Sequence, residues 1–309
     1  MTAARIEVPA AMSDLGDRDE TWEPWLRGLP AQVDALLREW DLTLDGPAAH
    51  GQCALVLPVR TDAGVPAALK VTWPHAEARH EHLALQHWHG NGAVALLRAD
   101  PRRFAMLLER ARTTALTTLD DVAACAVVGG LYERLHVPAP PQLDRLSDAA
   151  RDWADRLIAL PRDAPAPRRL VEQAASLARD LAPGADGTLV HTDLHDANVL
   201  AADRAPWLAI DPKPLSGDPA FEVAPLLWNR WPEVVGSGDV RGRVRYRLWT
   251  VVDVAGLDPD RARDWVVVRE MVQALWTIEA SERRRERTLG PAAQEWVTRA
   301  VTIAKAVQD

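Results

Sequence analysis

The stretch His191-Thr192-Asp193-Leu194-His195-Asp196-Ala197-Asn198, followed by Trp207-Leu208-Ala209-Ile210-Asp211-Pro212, constrains this chain more than any other. It sets an aspartate, an amide five residues on, and a second aspartate at the end of a short apolar run. The run Leu208-Ala209-Ile210 reads as a buried strand, and it would deliver Asp211 to the small volume that holds Asp193 and Asn198. A carboxylate able to take the proton of an attacking hydroxyl, a neutral amide oxygen and a second carboxylate suit phosphoryl transfer. That chemistry is mostly positioning around Mg²⁺, a hard cation that takes oxygen ligands. The fold must therefore bring a loop and a strand end together. From these residues alone a second arrangement stays open. His191, Asp193 and His195 have the ligand types of a metal-dependent hydrolase, although no second His/Asp-rich cluster stands out to complete it.

Upstream, the pattern is that of a sheet preceded by a helix. Gly28 to Trp40 reads as helical, with Pro30 in a first turn and Val33, Leu36, Leu37 and Trp40 on one face. Leu42-Leu44, Cys53-Val59 and Ala67-Val71 read as short strands, with Asp62-Ala63-Gly64 as a turn. Gly46 and Gly51 flank the first of these turns and permit close approach of backbone N–H groups to phosphate oxygens. Lys70 lies inside an apolar run, where a charge pointing inward needs a partner. Glu77 and Glu81, one turn apart in an expected helix from His75 to Gly90, are the available carboxylates. Val94-Leu97 and Phe104-Leu108 complete the strands.

Beyond Arg110 the periodicity becomes helical. Val122, Cys125, Val128, Tyr132 and Leu135 form one stripe, ended by Pro138, Pro140 and Pro141, with His136 as a structural residue. Helices are expected near Asp148-Leu160, Arg168-Leu181, Val240-Ala255, Asp260-Glu279 and Pro291-Val307. Asp218 and Pro219 read as the N-cap and first residue of another, and Asp218 is also placed to help shape a substrate pocket. The run Glu279 to Arg287 is strongly charged. It fits a solvated helix end with i, i+4 pairs such as Glu279–Arg283. The other reading is that Glu270 or Glu279 faces an acceptor and recognises an ammonium or guanidinium group.

His191 to Leu200, then Pro206 to Leu215, then Gly217 to Glu222, read H-T-D-L-H-D-A-N-V-L, P-W-L-A-I-D-P-K-P-L and G-D-P-A-F-E. Together these resemble the aminoglycoside phosphotransferase family, in its streptomycin and hydroxyurea kinase branch. Leu69-Lys70-Val71, Met106 to Arg110, and Leu135-His136 with Pro138-Ala139-Pro140-Pro141 occur in the matching order, so the resemblance covers most of the chain. It implies an α+β, protein-kinase-like two-lobed fold. Residues 1–110 would form a nucleotide-binding lobe of antiparallel sheet plus helix, and 111–309 a mainly helical lobe with the catalytic loop and substrate pocket. It implies Asp193 as catalytic residue, Asn198 and Asp211 as Mg²⁺ ligands, and Lys70 with Glu81 at the phosphates of ATP or GTP. Glu81 is preferred to Glu77 by the pattern Glu77-Ala78-x-x-Glu81-x-x-Ala84-Leu85. Gly46 and Gly51 would cover the phosphates, and Glu109 would lie in a hinge whose backbone meets the purine edge. His191 would brace the loop. The acceptor implied is a hydroxyl of a small molecule, foremost streptomycin or another cationic antibiotic, with hydroxyurea or an antibiotic-biosynthesis intermediate behind it. The segment from Asp211 to Phe221 is short and no A-P-E follows, which leaves little room to dock a protein substrate.

Composition excludes some classes. With 36 Lys and Arg against 44 Asp and Glu the net charge is −8, so a nucleic-acid partner is not expected. Cys53 and Cys125 make no disulfide framework. No apolar stretch approaches the roughly 20 residues of a membrane span. The segment Met1 to Met12 lacks the basic start and apolar run of a signal peptide, so a cytoplasmic location is expected. A nucleotide-binding protein without turnover remains the alternative to an enzyme.

Overall fold

The computed structural model describes residues 8–13, 20–285 and 288–308. Most of the segment considered for a signal peptide, and Glu286 and Arg287 of the charged run, lie outside the described residues. Two compact units emerge. The first runs to Arg112 and includes Ala202–Pro206, and the second holds Thr113–Ala201 and the chain from Trp207 onward.

In the first unit a short helix α1 (Ala10–Ser13) precedes α2 (Trp22–Glu39). Strands β1 (Thr43–Leu44), β2 (Ala49–His50), β3 (Ala54–Arg60), β4 (Pro66–Thr72), β5 (Leu96–Asp100) and β6 (Ala105–Glu109) form one sheet. It is antiparallel, in the order β1-β3-β4-β6-β5 with β2 also on β3. Period-2 alternation sends Leu55, Leu57 and Val59 of β3, and Ala67, Leu69 and Val71 of β4, into one core. They share it with Trp22, Leu29, Val33 and Leu36 of α2. Lys70 takes the opposite face of β4.

The helix begins at Trp22 rather than Gly28. Pro24, not Pro30, occupies its first turn, and Pro30 sits in the helix interior. An interior proline removes a backbone hydrogen bond. Burial of Trp22 and Leu29, each at 2% exposure or less, extends the helix through it. The helix expected from His75 to Gly90 is split into a 3₁₀ turn at Ala76–Ala78 and α3 (Glu81–Trp88), ended by His89 at φ 48°. Glu77 thus lies outside the helix that carries Glu81.

The second unit is mainly helical: α4 (Asp121–Leu135), α5 (Leu146–Ala159), α6 (Arg168–Leu181), α7 (Ala224–Trp228), α8 (Trp231–Gly236), α9 (Val240–Ala255), α10 (Pro259–Arg283) and α11 (Pro291–Ala306). Helices α4 and α9, α5 and α6, and α10 and α11 pack as pairs. Helix α10 is buried on every side through Val266, Val267, Val268, Met271, Val272 and Leu275, so no single stripe describes it. Two small antiparallel ribbons carry the motif residues. Strand β7 (Thr188–Val190) pairs with β10 (Leu215–Gly217), and β8 (Val199–Leu200) with β9 (Leu208–Ala209). Gly217 is needed in the first ribbon, since a Cβ there would stand 2.5 Å from Val190 Cγ2. No helix among the described residues is long and apolar enough to cross a membrane.

Candidate active site

The two ribbons position the motif in the second unit. Strand β7 ends at Val190 and leads directly into His191, Thr192 and Asp193. A 3₁₀ turn at Asp196–Asn198 follows, with His195 Nδ1 accepting from Ala197 N–H at 3.2 Å. Strand β9 then delivers Ile210 and Asp211. His191 ties these segments together, because its Nε2 donates to Ile210 O at 2.9 Å while its Nδ1 accepts from Asp193 N–H at 3.3 Å. Burial pushes its pKa down, against the pull of Glu222 and Asp193, and the neutral imidazole is the form that can donate at one nitrogen and accept at the other. Both nitrogens are spent. His191 therefore braces the loop and cannot ligate a metal, and among the described residues no group of three His, Cys, Asp or Glu converges to hold one. Among the described residues the ligand set of the hydrolase arrangement is not assembled.

Asp193 and Asn198 meet directly. Asn198 Nδ2 donates to Asp193 O at 2.9 Å and lies 3.4 Å from Asp193 Oδ2 and 3.3 Å from His195 Nε2. Engaging the amide nitrogen in this way leaves the amide oxygen as the hard donor of the side chain, of the kind that suits Mg²⁺. Asp211 adopts a left-handed φ of 57°, and Lys213 Nζ lies 2.7 Å from its Oδ2. Lys213 N–H donates to His191 O at 2.9 Å, which keeps Asp211 beside the loop of Asp193.

Thr192 is the strained residue of the site. Its φ is 63°, an outlier for a β-branched residue that costs of order 1–3 kcal/mol. Three groups hold it there. Its N–H donates to Glu222 Oε1 at 2.5 Å, its Oγ1 to Lys213 O at 2.6 Å, and its carbonyl accepts from Arg269 Nη2 at 3.2 Å. Glu222 is fully buried and also pairs with His136 Nε2 at 2.7 Å. Sequence reasoning placed His136 as structural but assigned no role to Glu222, Lys213 or Arg269. The only signal was that Glu222 and Lys213 stand inside the motif-like segments G-D-P-A-F-E and D-P-K-P.

In the first unit Lys70 Nζ donates to Glu81 Oε1 at 2.6 Å, with both side chains buried. Glu81 opens α3, where the helix dipole favours a carboxylate. Gly51 corrects an expectation: its N–H donates to Ala54 O at 2.9 Å, closing the β2–β3 turn, and so is not offered to a phosphate. Gly46 connects β1 and β2 at φ 156°. Glu109 likewise departs from its expected part. Its N–H donates to Ala95 O, and its carboxylate accepts from Ala95 N–H and from Arg204 Nε at 2.7 Å. Those groups are committed within the unit rather than to a purine edge.

Asp218 caps its turn, with Oδ1 accepting from Ala220 N–H at 3.0 Å, while Oδ2 accepts from Trp265 Nε1 at 2.7 Å and from Arg261. It joins the turn to α10 and is wholly occupied by protein partners. The two acceptor-recognition glutamates also change meaning. Glu279 binds Arg156 of α5 in a two-pronged pair at 3.0 and 2.5 Å, not Arg283 one turn on. Glu270 is 1% exposed, with Oε1 lacking a hydrogen-bond partner, and burial pushes its pKa well above 4.5.

Because folding raises the Glu270 pKa, the stability this group contributes is complete below pH 4.5 and is lost as pH rises through the folded value. Glu270→Gln is therefore expected to stabilise the protein at pH 8, by about 1–3 kcal/mol, with the difference shrinking toward pH 4.5. Urea unfolding at the two pH values checks it. A variant less stable than the parent at pH 8 would refute the assignment.

A streptomycin 6-kinase of Streptomyces glaucescens is 41% identical over 315 residues, covering 99% of each chain. A hydroxyurea phosphotransferase of Kitasatospora aureofaciens is 39% identical over 291 residues, covering 90% of this chain and 82% of its own. Among solved structures, the macrolide 2′-phosphotransferase of Brachybacterium faecium superposes with a TM-score of 0.58 at 15% identity, over 88% of this chain and 98% of that one. The protein-kinase-like fold is thereby common ground with small-molecule kinases. The model of the aminoglycoside/hydroxyurea antibiotic resistance kinases matches residues 39–281, and with these relatives it places the chain in that family.

Proposed function

We propose that this protein transfers the γ-phosphoryl group of a nucleoside triphosphate to a hydroxyl of streptomycin or a related aminoglycoside, and so confers antibiotic resistance. The observation that carries the reading is the fixed pair of Asp193 and Asn198 on the strained, threefold-held Thr192, with Asp211 kept alongside. Asp193 accepts or orients the proton of the acceptor hydroxyl. The oriented amide of Asn198 and the carboxylate of Asp211 are the hard oxygen donors a Mg²⁺ ion calls for, and the residues present fit that ion. Bound there, it would offset charge on the phosphoryl oxygens. Lys70, set by Glu81, supplies a fixed ammonium for the donor phosphates. A cytoplasmic location, where nucleoside triphosphate is supplied, suits this activity.

A second acceptor is favoured by a specific observation. Glu279 is committed to Arg156 and Glu270 is buried with a raised pKa, so neither offers the free carboxylate that a polycationic drug would select. Hydroxyurea, the substrate named for a relative of near-equal identity, needs no such group.

Mass spectrometry of streptomycin, other aminoglycosides and hydroxyurea, each incubated with the protein, Mg²⁺ and either ATP or GTP, tests both readings. Streptomycin with ATP is expected to gain one phosphoryl group. A gain on hydroxyurea alone would shift the acceptor, and nucleotide binding without any product would sink the antibiotic-kinase reading in favour of a non-catalytic protein or a biosynthetic kinase.

A further inference from the structure

The peptide plane between Thr192 and Asp193 is held at both edges. On one edge His191 Nδ1 accepts the Asp193 N–H, and on the other Arg269 Nη2 donates to the Thr192 carbonyl. Rotating that plane would swing the Asp193 carboxylate, and the left-handed φ of Thr192 gives the backbone a reason to rotate. We propose that Arg269 is a positioning residue for Asp193, its guanidinium fixed in an aromatic cage so that it clamps the strained Thr192 carbonyl.

The cage is built from separate elements. The Arg269 guanidinium carbon lies 4.8 Å from the Phe221 ring centroid, 5.4 Å from that of Trp276 and 5.8 Å from that of Trp228. Phe221 is itself stacked on Trp153 at 5.9 Å and meets Trp265 edge-on at 5.3 Å. With Arg269 only 7% exposed, the ring faces replace much of the water a cation loses on burial. They attract the guanidinium through its flat faces, so that the in-plane Nη2 can donate to the Thr192 carbonyl. Phe221 and Glu222 are adjacent, so one turn supplies both a wall of the cage and the carboxylate on the Thr192 N–H. Lysine cannot reproduce this, since it lacks the planar fork and the stacking surface.

The inference rests on Asp193 being the catalytic residue. The test uses purified Arg269→Gln, Arg269→Lys, Trp276→Leu and Asp193→Ala, with streptomycin, ATP and Mg²⁺. It reads kcat, acceptor KM, nucleotide Kd and thermal unfolding. Arg269→Gln is expected to lower kcat by about 10–100-fold, the scale of an ångström-sized misplacement, with KM and Kd changed by less than about twofold. Arg269→Lys recovers part of the loss, and Trp276→Leu, which keeps the guanidinium but removes one wall, lowers kcat by less than about tenfold. A folded Arg269→Gln with parental kcat overturns the clamp, as does a loss confined to KM or Kd. Should Arg269→Gln fail to fold, parental kcat in both milder variants overturns it equally. Full activity of Asp193→Ala would instead refute the catalytic reading, and a dead Asp193→Ala beside a fully active Arg269→Gln would refute the clamp alone.

Discussion

Asp193→Ala is expected to lower kcat by about 10²–10⁴-fold, the usual worth of a positioned general base, while nucleotide binding survives. The separation follows from the geometry. Asn198 anchors its amide through the Asp193 backbone carbonyl at 2.9 Å, a contact that alanine at 193 retains, so the oxygen donor at Asn198 keeps its direction. The carboxylate itself makes only the longer 3.4 Å approach to Asn198 and a 3.8 Å approach to His195, so its removal disturbs little of the loop. Single-turnover phosphorylation and nucleotide titration of the same preparation separate the two effects. Parental turnover in the variant would disprove the catalytic assignment, whereas joint loss of turnover and nucleotide binding would mean that Asp193 acts on the structure of the loop.

Lys70→Met should be the most damaging change in the first unit, for stability as well as nucleotide binding. Its partner Glu81 would remain as a carboxylate buried to 2% exposure, and breaking such a pair from one side costs about 3–5 kcal/mol. The double variant Lys70→Met/Glu81→Leu removes the buried carboxylate together with the ammonium, and part of the lost stability is expected to return. Nucleotide affinity is not. Urea unfolding of the parent, both single variants and the double variant, alongside ATP titration, separates the effect on stability from the effect on nucleotide binding. If the double variant binds ATP as the parent does, Lys70 has no part at the phosphates, and if the single variant is as stable as the parent, the pair is not the buried one described.

The legibility of the sequence varied from one element to the next for physical reasons. Helix α6 was readable to its ends, Arg168 and Leu181, because an amphipathic stripe lies between a proline-rich loop and a turn. The start of α2 was not readable, because Pro30 is a strong local signal and the burial of Trp22 that overrides it is a tertiary fact. The motif spacing was sufficient to bring Asp193, Asn198 and Asp211 to neighbouring ribbons, since short strands leave few ways to connect them. That Lys70 needs a carboxylate partner was readable from the cost of burying a lone charge, while the choice of Glu81 over Glu77 came from the family pattern alone. What escaped were partners far apart in the chain. Arg156 stands 123 residues from Glu279, and Arg269 stands 77 from Thr192. Neither periodicity nor local spacing carries information at that range, and the local rule for Glu279, a pair with Arg283, gave the wrong neighbour.

The segment Ala202–Pro206 belongs to the first unit although it links β8 to β9 of the second. Its Arg204 donates to Ala93 O at 2.8 Å and to both oxygens of Glu109. The first unit is therefore discontinuous in the gene. A ribosome that has released residues up to Arg112 has not yet supplied Arg204, so these contacts of Ala93 and Glu109 cannot form until all of helices α4 to α6 have been synthesised. A fragment cut at the apparent boundary would carry Glu109 without the arginine that neutralises it, which makes the two halves poor candidates for separate expression or for exchange between relatives as simple N- and C-terminal cassettes.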